Sequence, residues 1–213
     1  MILFYRETAI HKTLFYYDNN VKYLSQQYES AKVDNIHTLL LNTFSSKSYL
    51  LEIACGSGKD AAFMYQNTYD VLAIDASSEM ISEAKRCHLE LASQLEVVKV
   101  PDEFKFKPFS FDGVYSIATL MHLNKDEIDS TIEKIAMILK PGGKFFFSVF
   151  IKRDNVDEQG QDEKGRHFTT MTEHEWVTCY EKYELQLEHT EITADGLDRD
   201  GIVWLTCVVR KEI

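Results

Sequence analysis

Residues 50–63 read LLEIACGSGKDAAF. The apolar run YLLEIA, Tyr49–Ala54, stops at Gly56 and Gly58. Such a run closed by glycines is the pattern of a strand buried on both faces. Asp60 to Gln66 then reads as a helix. In an open parallel sheet, ligands bind beyond the carboxyl ends of the strands, where the strand order reverses. The Cys55–Gly58 turn is predicted to lie there, and glycine lets its backbone approach a ligand with no Cβ in the way. Glu52 sits at the end of the strand and adds negative charge beside the turn.

Working outward, DVLAID (70–75) is a second buried strand ending in an acid, 17 positions after Gly58. An acid there can accept two hydrogen bonds from a ribose diol. Ser77 and Ser78 offer N-caps to a helix through about Leu91. LEVVKV (95–100) and FDGVYSIA (111–118) are the third and fourth strands. Asn124 caps a helix to about Leu139, with Ile128, Ile132, Ile135 and Leu139 on one face. KPGG (140–143) stops it, and KFFFSVF (144–150) is the fifth strand. Alternation of strand and helix predicts an α/β fold, a parallel sheet covered on both faces.

The flanks differ from this core. Residues from about Thr8 to Tyr28 are predicted as one helix, with Tyr17, Val21, Leu24 and Tyr28 sharing a face. A shorter helix, Ile36 to Phe44, follows. After the fifth strand, 151–167 reads as a polar loop, long enough to serve as a gate over a site. Thr172 and Glu175 have capping-box spacing at the start of a last helix. Two strand-like runs, near Leu185–Thr193 and Ile202–Arg210, flank the turn-rich ADGLDRDG (194–201) and predict a terminal antiparallel hairpin.

The composition excludes several classes. The chain has 213 residues, enough for one domain with a full core. Its 34 Asp and Glu against 23 Lys and Arg give a net charge of −11, which argues against nucleic acid and anionic lipid as partners. No apolar run approaches the roughly 20 residues of a membrane span. Arg6 and Glu7 interrupt what would be a signal peptide's apolar core. Cys55, Cys87, Cys179 and Cys207 are far apart, so neither a metal site nor a disulfide framework is expected, and a cytoplasmic location fits.

Gly56, Gly58 and Ala61 alone would also suit a dinucleotide. A pyrophosphate prefers bare N–H groups at a helix N-terminus, whereas Glu52 favours a ligand with a cationic group. Together the segments resemble the class I S-adenosylmethionine-dependent methyltransferases, of the small-molecule, type 11/25-like branch. LLEIACGSGKDAAF resembles their first motif and VLAIDASSEMISEAK (71–85) the second. KPFSFDGVYSIATLMHL (107–123) resembles the fourth-strand motif and LKPGGKFFFSVF (139–150) the turn and strand after it. FYYDNNVKYLSQQY (15–28), GRHFTTMTEHEW (165–176) and DGIVWLTCVVRK (200–211) extend the likeness to nearly the whole chain.

The resemblance implies a Rossmann-like sheet of seven strands in the order 3-2-1-4-5-7-6, strand 7 antiparallel, with helices on both faces. It implies a single domain, 1–213: an N-terminal helical lid over 1–45, a cofactor core over 46–150, and a substrate-side loop, helix and hairpin over 151–213. The expected cofactor is S-adenosyl-L-methionine, with S-adenosyl-L-homocysteine as product. Its expected ligands are Glu52, Ala54, Gly56, Ser57, Gly58 and Asp75, with Ala76 and Met80 flanking the adenine. Asp102, or secondarily Glu103, is expected at the adenine amino group. Ile117 to His122 should pass beneath the methyl group. Tyr17 or Tyr23 would face the sulfonium as an aromatic against a cation.

Tyr16, His122, Arg166 and His167 are the expected substrate contacts, and His122 is the candidate base because an unperturbed histidine titrates near neutral pH. The acceptor is expected to be a small molecule. No Asp/Asn-Pro-Pro-Tyr run, no Pro-Cys nucleophile and no second zinc-helix histidine after His174-Glu175 occurs. Three competing readings stand beside this one. A nicotinamide oxidoreductase would lack Glu52. A protein methyltransferase or an inactive interaction protein of the same fold would look alike in sequence.

Overall fold

The structure is a computed structural model and describes residues 9–195 and 200–212, with backbone only for 9–11. Thr8, Arg6, Glu7 and the 196–199 part of the hairpin turn lie outside the described residues.

Seven strands form one sheet: β1 (Tyr49–Ile53), β2 (Asp70–Asp75), β3 (Leu95–Val97), β4 (Phe111–Ile117), β5 (Leu139–Arg153), β6 (Leu185–Ala194) and β7 (Ile202–Lys211). Their order is β3-β2-β1-β4-β5-β7-β6. The first five pair in parallel, and β7 runs antiparallel to both β5 and β6. The expected order and the antiparallel strand are both present. The order reverses between β1 and β4, so the carboxyl ends of these two strands make the crevice in which such sheets bind ligands.

The pleat divides the interior in two. Along β5, Phe145, Phe147 and Val149 face one apolar cluster with Leu51 and Ile53 of β1, while Phe146 and Leu50 face the other. Alternate side chains of a strand point to opposite faces, and both faces here are covered. The first layer receives α6 (Lys125–Ile138) through Ile128, Ile132 and Ile135, and α7 (Glu173–Glu181) through Trp176 and Tyr180. The second receives α3 (Asp34–Thr43) and α4 (Lys59–Gln66), and Ile81 and Ala84 of α5 (Ser78–Cys87). Both capping boxes form, Asn124 with Glu127 and Thr172 with Glu175.

Several expected boundaries move. The N-terminal helix is two helices, α1 (Ala9–Asn19) and α2 (Val21–Ser30). Asn19 and Asn20 donate through their side-chain amides to the carbonyls of Phe15 and Tyr16, at 2.7 and 2.8 Å, and this local competition ends α1. α5 ends at Cys87, with a 3-10 turn over Leu89–Leu91. β3 is three residues long because the chain turns at Lys99: Glu103 N–H donates to Lys99 O, and Lys99 N–H to the Glu103 carboxylate.

β5 is longer than its apolar core at both ends. Phe111 pairs with Leu139 and Gly113 with Lys144, so residues 140–143 are extruded as the expected turn within the ladder. At the far end Lys152 and Arg153 still pair with β7, shortening the expected loop. The remainder of that segment is hydrogen-bonded. Asp162 accepts from the backbone N–H groups of Lys164 and Arg166 and from the Arg166 guanidinium.

Candidate active site

A cavity of about 300 Å³ opens at the carboxyl ends of β1, β2 and β4. Its floor is the chain leaving β1, Ala54 to Ser57, and the chain leaving β4, Ile117 to Thr119. Ala54 and Ala118 both take positive φ, at 59° and 55°. Non-glycine residues rarely adopt this region, so two such turns at adjacent strand ends mark backbone held for a purpose other than ladder pairing. Gly56 and Gly58 also take positive φ, 55° and 82°.

The acidic side chains follow from the strand register. Glu52 lies opposite Tyr115 in the β1–β4 pairing, and the buried Tyr115 hydroxyl donates to Glu52 at 3.2 Å. Burial, then the nearby charges of Asp60 and Asp75, push the Glu52 carboxyl well above its ordinary value. No cation among the described residues pairs with it. At the end of β2, one Asp75 oxygen accepts from Gly56 N–H at 3.0 Å and the other from Ser77 N–H at 2.9 Å. Burial raises the Asp75 pKa to about 6 against these stabilising donors. Asp60 also borders the cavity and bonds His37 at 2.7 Å.

On the β4 side, His122 Nδ1 lies 2.8 Å from the carbonyl of His167, and Nε2 lies 3.0 Å from the Tyr17 hydroxyl. A carbonyl only accepts, so Nδ1 carries the hydrogen, and the Nε2 lone pair takes the Tyr17 hydrogen. Burial lowers the His122 pKa to about 4, and the ring is neutral at pH 7. α1 is held to the core at two further places. Thr13 Oγ1 accepts from His167 N–H at 2.8 Å, and Asp18 accepts from Ser77 Oγ at 2.5 Å.

Of the residues singled out from sequence, Tyr17, Glu52, Ala54, Gly56, Ser57, Asp75, Ala76, Met80, Ile117 and His122 line the cavity. Seven others do not. Gly58 faces α5, where an added Cβ would lie 3.3 Å from Ala84. Tyr23 is 61% exposed, on the far side of α2. Asp102 and Glu103 are exposed, carried away by the turn at Lys99, with the Glu103 carboxylate occupied by backbone N–H. Tyr16, Arg166 and His167 form a layer behind Tyr17 and His122. The Arg166 guanidinium lies 5.1 Å from the Tyr16 ring and is bound to Asp162.

Sequence reasoning missed Tyr28, Lys59, Asp60 and the wall made by Val98, Lys99 and Val100. For Tyr28 the signal was present, because it shares the helical face of Tyr17 and Tyr23 does not. Among the described residues, no helix is long and apolar enough to cross a membrane, and no group of three or more His, Cys, Asp or Glu could hold a metal ion.

Residues 50–143 match the family model described as a methyltransferase domain. The ubiquinone biosynthesis O-methyltransferase of Xanthomonas euvesicatoria pv. vesicatoria is 34% identical over 101 residues, 46% of this chain and 41% of that one. The chain spans 39–50% of the length of the first curated relatives it matches. The 1,6-didemethyltoxoflavin N1-methyltransferase of Burkholderia thailandensis, solved with that compound and S-adenosylhomocysteine, superposes with a TM-score of 0.76 at 18% identity, covering 100% of this chain and 92% of the other. The [4+2]-cyclase SpnF superposes with a TM-score of 0.75 at 16% identity, covering 97% of both chains. At these identities the solved structures establish the fold, and a fold hosts more than one reaction. With residues 50–143 matched to a methyltransferase domain and its seven strands in the expected order, the chain is similar in fold and in its central motifs to the class I S-adenosylmethionine-dependent methyltransferases.

Proposed function

We propose that the protein transfers a methyl group from S-adenosylmethionine to a small-molecule acceptor. The observation that carries the reading is the charge pattern of the cavity: Glu52, Asp60 and Asp75 border it, and Glu52 is buried with a phenol as its side-chain partner. A ligand with a ribose diol, an ammonium and a sulfonium offers hydroxyl donors to Asp75 and a cation to the side of the cavity that Glu52 borders. Apolar side chains of Met80, Val98, Val100 and Ile117 offer walls for a flat base, in place of the expected Asp102.

When bound, the donor supplies a methyl carbon made electrophilic by a sulfonium that departs as a neutral thioether. The chain's own part is alignment and exclusion of water. Asp75 holds the ribose, its lone pairs oriented by Gly56 and Ser77. Tyr17 and Thr13 of α1 are tied to the β4 side and close that side of the cavity. Holding donor and acceptor in near-attack geometry contributes about 7–11 kcal/mol in favourable cases. An acceptor hydroxyl or amine beside Tyr17 would meet the phenol oxygen as a hydrogen-bond acceptor, since the phenol hydrogen is given to His122 Nε2. An acceptor that is already an anion needs no such contact.

The named relatives support a small-molecule acceptor, because they include an O-methyltransferase of ubiquinone biosynthesis. Release of S-adenosylhomocysteine, measured with panels of phenols, carboxylic acids and amines and with a protein mixture in parallel, tests the reading. Turnover with one small-molecule class supports it. Turnover with the protein mixture alone, or with nothing, overturns the acceptor assignment.

A further inference from the structure

Lys59 is the first residue of α4, the positive end of its own helix, where a cation is unfavourable. Its ammonium instead reaches the end of another helix. It donates to the carbonyls of Tyr28 and Glu29, each at 3.1 Å, and of Ala31. The last carbonyls of a helix have no partner within it, and a cation there is favoured. Three donors meet three carbonyls, so the ammonium has no hydrogen left for a ligand.

The segment held this way roofs the cavity. Tyr28, Ala31 and Val33 line it, and the Tyr28 ring lies over the glycine turn, 3.4 Å from where a Cβ on Gly56 would be. A second tie runs beside the first: Glu29 bonds His88 at 3.1 Å, and His88 packs against Gly58. The same turn that presents Gly56 N–H to Asp75 therefore carries, one residue past Gly58, the cation that fixes the exit of α2.

We propose that Lys59 is a positioning residue that docks the end of α2 onto the glycine turn, so that occupancy of the donor site and docking of α2 are coupled. The inference rests on the donor reading given above. S-adenosylhomocysteine then tightens α2 through Lys59, and loss of the Lys59 ammonium weakens the ligand although its three hydrogens are held by backbone carbonyls and none is left for the ligand.

The test combines calorimetry with amide hydrogen exchange, using S-adenosylhomocysteine as the probe. In the wild type, ligand should slow exchange at residues 24–31. Lys59→Met keeps most of the stem and removes the donors; it should weaken binding about tenfold and abolish the ligand-induced protection, while Lys59→Arg restores much of both. A merely structural lysine would lower the melting temperature yet leave the ligand-induced protection intact. If Lys59→Met does not fold, the wild-type exchange decides alone, and unchanged protection at 24–31 on saturation overturns the coupling. A wild type that binds no S-adenosylhomocysteine defeats the donor reading instead, whereas equal affinity in wild type and Lys59→Met defeats only the role of Lys59.

Discussion

The Tyr17 hydroxyl donates to Nε2 of His122 at 3.0 Å, across 105 positions of sequence, and joins α1 to the chain leaving β4. The direction of this bond is fixed from behind, since the His167 carbonyl accepts the hydrogen on Nδ1. The imidazole therefore presents a lone pair to Tyr17, and burial keeps it unprotonated.

That relationship predicts the ring's nitrogen signals. Nitrogen NMR should find His122 as the Nδ1–H tautomer with a titration midpoint near 4, where an exposed histidine gives about 6.5. Tyr17→Phe should leave the tautomer unchanged, because His167 sets it. Because the folded state binds this proton less readily than the unfolded chain, His122 costs stability as pH falls from about 6.5 to about 4. An Nε2–H signal, or an ordinary midpoint, would contradict the assignment.

Asp75 predicts the pH dependence of donor binding. Its pKa of about 6 means that the carboxylate proposed above to accept the ribose hydroxyls is lost on acidification. Affinity for S-adenosylhomocysteine should be full above that value and fall by up to about tenfold per pH unit below it. Asp75→Asn should bind weakly throughout and lose this step. The effect on the free protein runs the other way: protonating Asp75 between about 6 and its ordinary value near 4 relieves a buried charge and raises stability. A flat wild-type binding profile between pH 5 and 7 would count against Asp75 as the ribose ligand.

Gly113 predicts a packing cost away from the site. A Cβ there would fall 2.3 Å from the Phe44 ring and 2.9 Å from Leu50. Phe44 and Leu50 are both buried, so neither can swing aside. Gly113→Ala should destabilise the protein by about 1–3 kcal/mol in denaturant unfolding. A change below about 0.5 kcal/mol would mean that the Phe44 ring, just past the end of α3, does not pack on Gly113 of β4.

The frame was legible because it rests on two signals that tertiary contacts do not override. Buried parallel strands must be continuously apolar, and the turns between them need glycine or a capping residue. This fixed β1, β2 and β4 within a residue and put Glu52 and Asp75 at strand ends. What escaped depends on side chains meeting at a distance. Asn20 breaks the first helix because Tyr16 O accepts its amide, which no periodicity reports. Glu103 lies where the resemblance implies an adenine contact, yet its carboxylate folds back on Lys99 N–H. Arg166 is expected at the acceptor from its place in the sequence and is turned aside by Asp162, four residues earlier. Lys59 carries no local signal of its role, because only the folded chain brings the end of α2 beside it.

Asp75 and the glycine turn are proposed above to hold S-adenosylmethionine in the cavity below α1 and α2. Calorimetric titration with S-adenosylhomocysteine, run beside NAD and repeated on Asp75→Ala, tests this most directly. Binding of the first ligand only is expected, about micromolar and weakened at least about tenfold by the substitution. Equal binding by Asp75→Ala, preference for NAD, or no binding of either ligand would contradict it.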